Sequence, residues 1–135
     1  MLTTLYGGPY QPLSWLSYAL DFTLWGPNPA AMRATNLALH AGSAVLLFST
    51  VESLIKTASP DSAPRERTLA AAFAALCWAA HPLRVESVVW LTERRDVLSG
   101  FFYLLAVFLH VRRRGGPLAP LLAFNIAVLA KASAL

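Results

Sequence analysis

Apolar segments separated by short polar or proline-containing stretches occupy most of the chain, which has 135 residues. The longest segments approach the roughly 20 residues that an α-helix needs to cross a bilayer. Pro12, the GPNP stretch at 26–29 and Pro82 mark helix boundaries, because proline suits a first helical turn and cannot continue a preceding helix. The pattern predicts an all-α fold, a multi-pass transmembrane helical bundle. Its elements are a juxtamembrane helix over 12–25, membrane helices over 29–55, 68–82, 97–112 and 117–135, and an extracytoplasmic loop or short helix over 83–96.

Two of these predicted helices carry a narrow polar stripe. The polar positions are Ser14, Ser17 and Asp21 in the first helix, and Arg33, Asn36, His40 and Ser43 in the second. Lipid disfavours such groups, so the stripe on the second helix should point into the bundle. For Asn36 and His40, interhelical hydrogen bonding is favoured over a functional role. Asp21 either packs against Ser14 or Ser17 or faces a site.

Composition agrees with a membrane protein. Apolar residues make up 56% of the chain and charged residues only 13%, with a mean hydropathy of +0.51; soluble domains carry about 25% charged residues. The net charge of +4 fits cytoplasmic anchoring loops better than nucleic-acid binding, since no basic stripe is interleaved with aromatics. The single cysteine, Cys77, excludes an internal disulfide. No sequence motif indicates a metal site or a bound cofactor.

Basic residues also predict an orientation. The polar loop at 56–68 and the arginine run at 112–114 place six basic residues on one side of the predicted bundle, against four on the other. Cytoplasmic loops carry the excess of Lys and Arg. The segment 81–96 is therefore predicted to lie outside the cytoplasm.

That segment, HPLRVESVVWLTERRD, carries three arginines and three acids between two apolar stretches. Arginine binds phosphate through paired N–H donors, and acids beside it can orient the arginines or bind hydroxyl groups. The candidates for substrate binding in this segment are His81, Arg84, Glu86, Arg94 and Asp96. Mutual ion pairing at a helix end is the alternative, and from the residues alone it is the favoured one. A His-Pro pair can also simply end a helix, and Lys131 either reaches the membrane surface or pairs with an acid inside.

Three blocks of the sequence resemble a known family. YQPLSWLSYALDFTLWG, NLALHAGSAVLLF and HPLRVESVVWLTERRDVLSGFFYLLA are similar to consecutive parts of GT-C-fold membrane glycosyltransferases related to protein O-mannosyltransferases, commonly joined to tetratricopeptide repeats. The similarity extends from about Tyr10 to Lys131. It implies transfer of a sugar, typically mannose, from a polyprenyl-phosphate donor to a protein hydroxyl on the extracytoplasmic face. Lipid bilayer, lipid-linked donor and protein acceptor are then the expected partners. The resemblance favours substrate binding for Arg84, Glu86, Arg94 and Asp96, leaves both alternatives open for His81, and leaves ion pairing favoured for Glu93 and Arg95.

The chain departs from the family pattern in three respects. Gln11 stands where the family has Arg in Tyr-Arg-Pro-Leu, and Ala130-Lys131-Ala132 replaces Ser-Lys-Pro. The resemblance places the catalytic acids upstream of Met1, so the catalytic residues stay unassigned and the chain is interpreted as a fragment of an integral membrane enzyme, located in the bacterial inner membrane. The alternative is a non-enzymatic membrane module of a transporter or envelope assembly protein, with 81–96 as a docking or gating loop.

Overall fold

The computed structural model describes residues 11–112 and 116–131. All regular structure within these residues is helical, which confirms the all-α prediction. The elements are α1 (Pro12–Trp25), α2 (Pro29–Ala58), α3 (Pro64–Ala79), α4 (Pro82–Val89), a 3₁₀ turn at Leu91–Glu93, α5 (Arg94–Arg112) and α6 (Leu118–Ala130). The last four residues of the helix predicted over 117–135, including Ala132, lie outside the described residues.

Proline begins most of these helices, since its fixed φ suits the first turn and its missing N–H costs nothing there. Pro12, Pro29, Pro64 and Pro82 open α1 to α4. Before α2, the Asn28 side chain accepts hydrogen bonds from the N–H groups of Ala30 and Ala31, at 3.0 and 3.4 Å. Gly26 has φ +64°, a conformation that glycine adopts without strain, and it ends α1.

Two helix starts differ from the predicted bounds. α3 begins at Pro64, inside the segment predicted as a polar loop, and α5 begins at Arg94 instead of position 97. The reason is the same in both places: the first turn of a helix can be polar, so hydropathy alone does not separate it from a loop.

The interior is built from small side chains. α5 packs against both α2 and α6, and α3 packs against α2. Of the eight buried apolar residues in the described part of the chain, six are alanines: Ala71, Ala75, Ala106, Ala123, Ala127 and Ala130. An added Cβ at Gly42 of α2 would lie 2.8 Å from Cε2 of Phe101 in α5. Small residues allow this close helix approach.

Large apolar side chains lie instead on the outside. Leu16, Phe73, Leu76 and Leu118 are each more than 60% exposed. One helix among the described residues, α2, is long and apolar enough to span a membrane, and α3 with α4 pass the same test only as a pair, bent by 56°. α6 is apolar but shorter. The number of membrane crossings therefore stays a prediction.

The polar stripes mostly face inward. Asn36 and Ser43 are buried and His40 is half-buried, whereas Arg33, in the first turns of α2, is exposed and does not follow the prediction. Its position near the helix end lets its side chain leave the bundle. Ser14 is also buried, and its Oγ donates to the Ala130 carbonyl at 3.1 Å, which joins α1 to α6.

Candidate functional site

Arg94 lies at the centre of a buried polar cluster that joins α1, α2 and α5. Its guanidinium is fully buried. Nε donates to Asn36 Oδ1 at 2.8 Å and one terminal nitrogen donates to the Met32 carbonyl at 2.6 Å. The other terminal nitrogen donates to Ser17 Oγ at 3.2 Å and forms an ion pair with Asp21. We call Arg94, Asp21, Asn36 and Ser17 the Arg94 cluster.

The surroundings of the Arg94 cluster hold it in one geometry. Asp21 also accepts a hydrogen bond from Thr35 Oγ1 at 3.1 Å, so its carboxylate packs against Arg94 and Thr35 rather than Ser14. The Tyr18 ring lies 4.8 Å from the guanidinium, within cation–π range. Burial raises the pKa of Tyr18, whose neutral hydroxyl donates to the Leu91 carbonyl. The charged segment is thereby fixed to α1.

In this geometry Arg94 connects α5 to α1 and α2. Every guanidinium nitrogen donates inside the protein, and no part of the group reaches the surface. The sequence predicts a phosphate contact for Arg94, whereas in the structure its guanidinium is buried and donates to groups of the protein. The reason is the pair of polar groups on α1 and α2, Asp21 and Asn36, that converge on it.

Two other predicted residues, Arg84 and Asp96, line one narrow cleft. The Arg84 guanidinium lies over the Trp78 ring, 5.0 Å from its centroid, and Trp78 stacks on His40 with centroids 5.2 Å apart. Lys131 Nζ lies 2.6 Å from Asp96 Oδ1, so of the alternatives left open for Lys131 the structure favours pairing with an acid. The cleft is about 20 Å³ in volume, which is room for about one water and not for a sugar.

The remaining predicted residues lie apart from this cleft. His81 Nδ1 accepts a hydrogen bond from the Leu83 N–H at 3.3 Å and so caps α4, in agreement with the helix-terminus alternative. Glu86 is exposed on α4 and does not line the cleft. Arg95 pairs with Glu93 at 3.1 Å, and both side chains are partly exposed, as the ion-pair interpretation predicts.

A larger pocket beside the Arg94 cluster was not predicted from the sequence. Its volume is about 240 Å³, and it lies between α1 and the segment that leads into α5. Hydroxyl, amide, aromatic and guanidinium groups share its wall, a mixture that suits a sugar. The lining residues are Gln11, Ser14, Trp15, Tyr18, Leu91, Thr92 and Arg95. A signal was present, because Ser14, Trp15 and Tyr18 are three and four residues apart on one face of the predicted first helix, which begins directly after Gln11.

Metal ligands do not cluster in the described parts of the chain. Within residues 11–112 and 116–131, no group of three His, Cys, Asp or Glu side chains could hold a metal ion.

Comparison with known proteins identifies a group of relatives. The chain is 32% identical to the human protein O-mannosyl-transferase TMTC4 over 101 residues, 72% of the chain and 14% of that protein. It is 35% identical to mouse TMTC1 over 104 residues, 77% of the chain and 10% of that protein. Human TMTC3 is 26% identical over 106 residues.

The match thus spans a small part of each relative's length, 14% of human TMTC4 and 10% of mouse TMTC1. No family model matches the chain, and no solved structure does. The relatives agree with one another in name across human, mouse and Xenopus proteins. The predicted family resemblance is confirmed: over most of its length, this chain is homologous to the TMTC protein O-mannosyl-transferases.

Proposed function

We propose that this chain forms the donor-binding part of a multi-pass membrane glycosyltransferase of the GT-C type. It binds a polyprenyl-phosphate sugar, with mannose as the expected sugar, on the extracytoplasmic side, where the sugar passes to a protein hydroxyl. The names of the relatives support a glycosyltransferase and a protein acceptor.

The arrangement of apolar surface supports a bilayer. A soluble protein rarely exposes so many large apolar side chains in contiguous patches. Here the exposed residues on three helices include Leu37, Val45, Leu69, Phe73 and Leu122. α2 alone is about 45 Å long at 1.5 Å per residue, which exceeds a hydrocarbon core of about 30 Å. The relatives are human, mouse and Xenopus proteins and do not support the predicted bacterial inner membrane. The proposal requires only that 81–96 face away from the cytoplasm.

Arg84 carries the proposal. It is exposed and forms no ion pair among residues 11–112 and 116–131, while the Trp78 ring beneath it holds its guanidinium in place. An oriented guanidinium with free N–H groups suits a phosphate. When the acceptor oxygen attacks the anomeric carbon, the bond to the phosphate oxygen breaks and charge accumulates on the leaving phosphate. A fixed cation stabilises that charge.

The 240 Å³ pocket is proposed to receive the sugar ring. Trp15 and Tyr18 offer apolar faces, and Gln11, Thr92 and Arg95 offer hydrogen-bonding groups. It lies at the same end of the bundle as the cleft of Arg84 and Asp96, since Arg95 and Asp96 are adjacent in the chain. The Arg94 cluster holds the segment between these two features. This layout gives the phosphate and the sugar separate contacts.

Direct binding tests the proposal. The chain in lipid nanodiscs is titrated with a polyprenyl-phosphate mannose, and polyprenol serves as the ligand without phosphate. We expect Arg84→Gln to weaken donor binding about tenfold or more, because charge-assisted hydrogen bonds to the phosphate are lost. Arg33→Gln is the matched control, an exposed arginine on α2 that removes the same charge and lines neither the cleft nor the sugar pocket.

An equal loss of donor affinity in the two variants would mean that Arg84 contributes only a general surface charge. Equal affinity for the phosphate donor and for polyprenol would overturn the phosphate contact altogether, and the non-enzymatic module would then be the better interpretation.

A further inference from the structure

A basic pocket lies at the end of the bundle opposite Arg84. It is formed by the end of α2, the start of α3 and the end of α5, and its volume is about 520 Å³. Its cations come from three different helices, which only tertiary packing brings together. The lining residues, which we call the basic pocket, are Glu52, Ser53, Lys56, Thr57, Pro64, Arg67, Thr68 and Arg112.

Charge in the basic pocket is unbalanced. Lys56, Arg67 and Arg112 face a single carboxylate, that of Glu52. Glu52 accepts a hydrogen bond from Thr68 Oγ1 at 2.8 Å, and within residues 11–112 and 116–131 it forms no ion pair with the three cations. Three positive charges that leave their one acid unpaired are available to an anion.

Two further features favour a phosphate here. Arg112 is held in place: Nε donates to Ser53 Oγ at 3.3 Å, and the guanidinium lies 4.7 Å from the centroid of the Phe108 ring. Pro64 begins α3, a helix of 16 residues, so the positive end of that helix dipole lies at the pocket wall. Oriented guanidinium groups and helix N-termini both favour phosphate.

The position along the bundle points to a lipid as the source of the phosphate. Asn36 and Lys56 are 20 residues apart on α2, so the basic pocket and the Arg94 cluster are separated by about 30 Å, one hydrocarbon thickness. Leu54 and Leu69, next to the pocket on α2 and α3, are 48% and 59% exposed. A headgroup in the pocket would have apolar surface beside it for its acyl chains.

We propose that the basic pocket binds the phosphate of an anionic phospholipid headgroup, in the leaflet opposite the donor site. The inference depends on the membrane arrangement proposed above and not on sugar transfer. A Lys or Arg directly beside an anionic headgroup at the membrane surface strengthens its binding about fivefold. Two of the three cations should therefore account for a change of about twentyfold or more.

The test compares lipid retention by the detergent-purified chain, measured by native mass spectrometry with phosphatidylglycerol and phosphatidylcholine as probes. Wild-type chain should retain phosphatidylglycerol preferentially, and the preference should fall as NaCl rises, because salt screens exposed charges. The double variant Arg67→Gln/Arg112→Gln should lose about twentyfold of the preference. Arg33→Gln/Arg65→Gln is the control, with the same charge change on two exposed arginines outside the pocket, and it should change retention less than twofold.

Equal retention of the two lipids, or equal effects of the two double variants, would overturn the inference. Competition with glycerol phosphate separates a lipid site from a site for free phosphate. Glycerol phosphate at the same concentration as the lipid should not displace the lipid, and displacement at that concentration would overturn the lipid assignment. Donor binding at Arg84, measured on the same samples, distinguishes failure of this inference from failure of the proposed function, because the two sites lie at opposite ends. If the double variant fails to fold, the salt titration of the wild-type chain decides.

Discussion

At the scale of single residues, the buried ion pair between Arg94 and Asp21 is the main electrostatic feature of the bundle. Both side chains are at most 6% exposed. Removing one partner of a buried pair leaves a charge without compensation, whereas removing both can be nearly neutral. The folded chain should therefore lose more stability when one of the two charges is removed than when both are removed.

We expect Arg94→Met to destabilise the chain by about 3–5 kcal/mol, because the Asp21 carboxylate stays buried without its cation. Asp21→Leu combined with Arg94→Met should recover most of that loss. Thermal unfolding of the detergent-solubilised chain, followed by circular dichroism, measures both variants. If the double variant were as unstable as the single one, the loss would come from packing or from the other hydrogen bonds of Arg94 and not from the stranded charge.

The same pair marks a limit of prediction from sequence. The residues of the charged segment were identifiable because lipid should expel them, and Glu93 with Arg95 form the predicted local pair. Arg94 and Asp21, however, are 73 positions apart, and no local pattern links them. The sequence analysis separated Arg94 from Arg95 by expected role, but it did not predict that Arg94 is buried while Arg95 is partly exposed.

At the scale of helices, the contact of α2 with α5 depends on Gly42. A Cβ at this position would meet the Phe101 ring at 2.8 Å, whereas a Cβ at Gly100, also in a helix, would meet nothing within 4 Å. The two glycines thus form a matched pair of helical positions: Gly42 has no free space for a methyl group, and Gly100 has.

We expect Gly42→Ala to cost about 1–3 kcal/mol through overpacking, partly offset by the helix propensity of alanine. Gly100→Ala should instead stabilise the chain by about 0.5–1 kcal/mol, the ordinary gain for glycine to alanine in a helix interior. Thermal unfolding of the two variants under one detergent condition checks the difference. An equal gain of stability in both variants would mean that the Phe101 ring moves aside without an energetic cost.

Two helix starts were predictable because proline marks a boundary beside an apolar stretch. Asn28 with Pro29 begins α2, and Pro82 begins α4, as the sequence suggests. The start of α3 at Pro64 was missed because the segment around it is polar, and the start of α5 was missed because charge was interpreted as loop. A polar first turn and a polar loop have the same composition, and they differ only in backbone hydrogen bonding.

At the scale of the whole molecule, polar groups gather at two opposite ends and apolar side chains cover the surface between them. Arg84 and Asp96 mark one end, and Lys56, Arg67 and Arg112 mark the other. The proposed orientation assigns the first end to the outside of the membrane and the second to the cytoplasm. The two ends must then differ in their access to a reagent that cannot cross lipid.

Cysteine labelling tests this orientation, and the chain is suited to it because Cys77 is its single cysteine. Cys77 is exposed on α3, among apolar residues in the part of the surface assigned to lipid. In sealed vesicles with the extracytoplasmic side outward, a membrane-impermeant maleimide should leave Cys77 unlabelled until detergent is added.

Two engineered cysteines, each in a Cys77→Ser background, report the side of the membrane. Glu86→Cys should be labelled from outside. Asp61→Cys, in the loop between α2 and α3, should be labelled only after the vesicles are opened. Both positions are exposed, so a difference in labelling reports the side of the membrane and not burial. Labelling of both from the outside would place the two ends on one face, which would contradict a crossing by α2 and remove the basis for two separate phosphate sites.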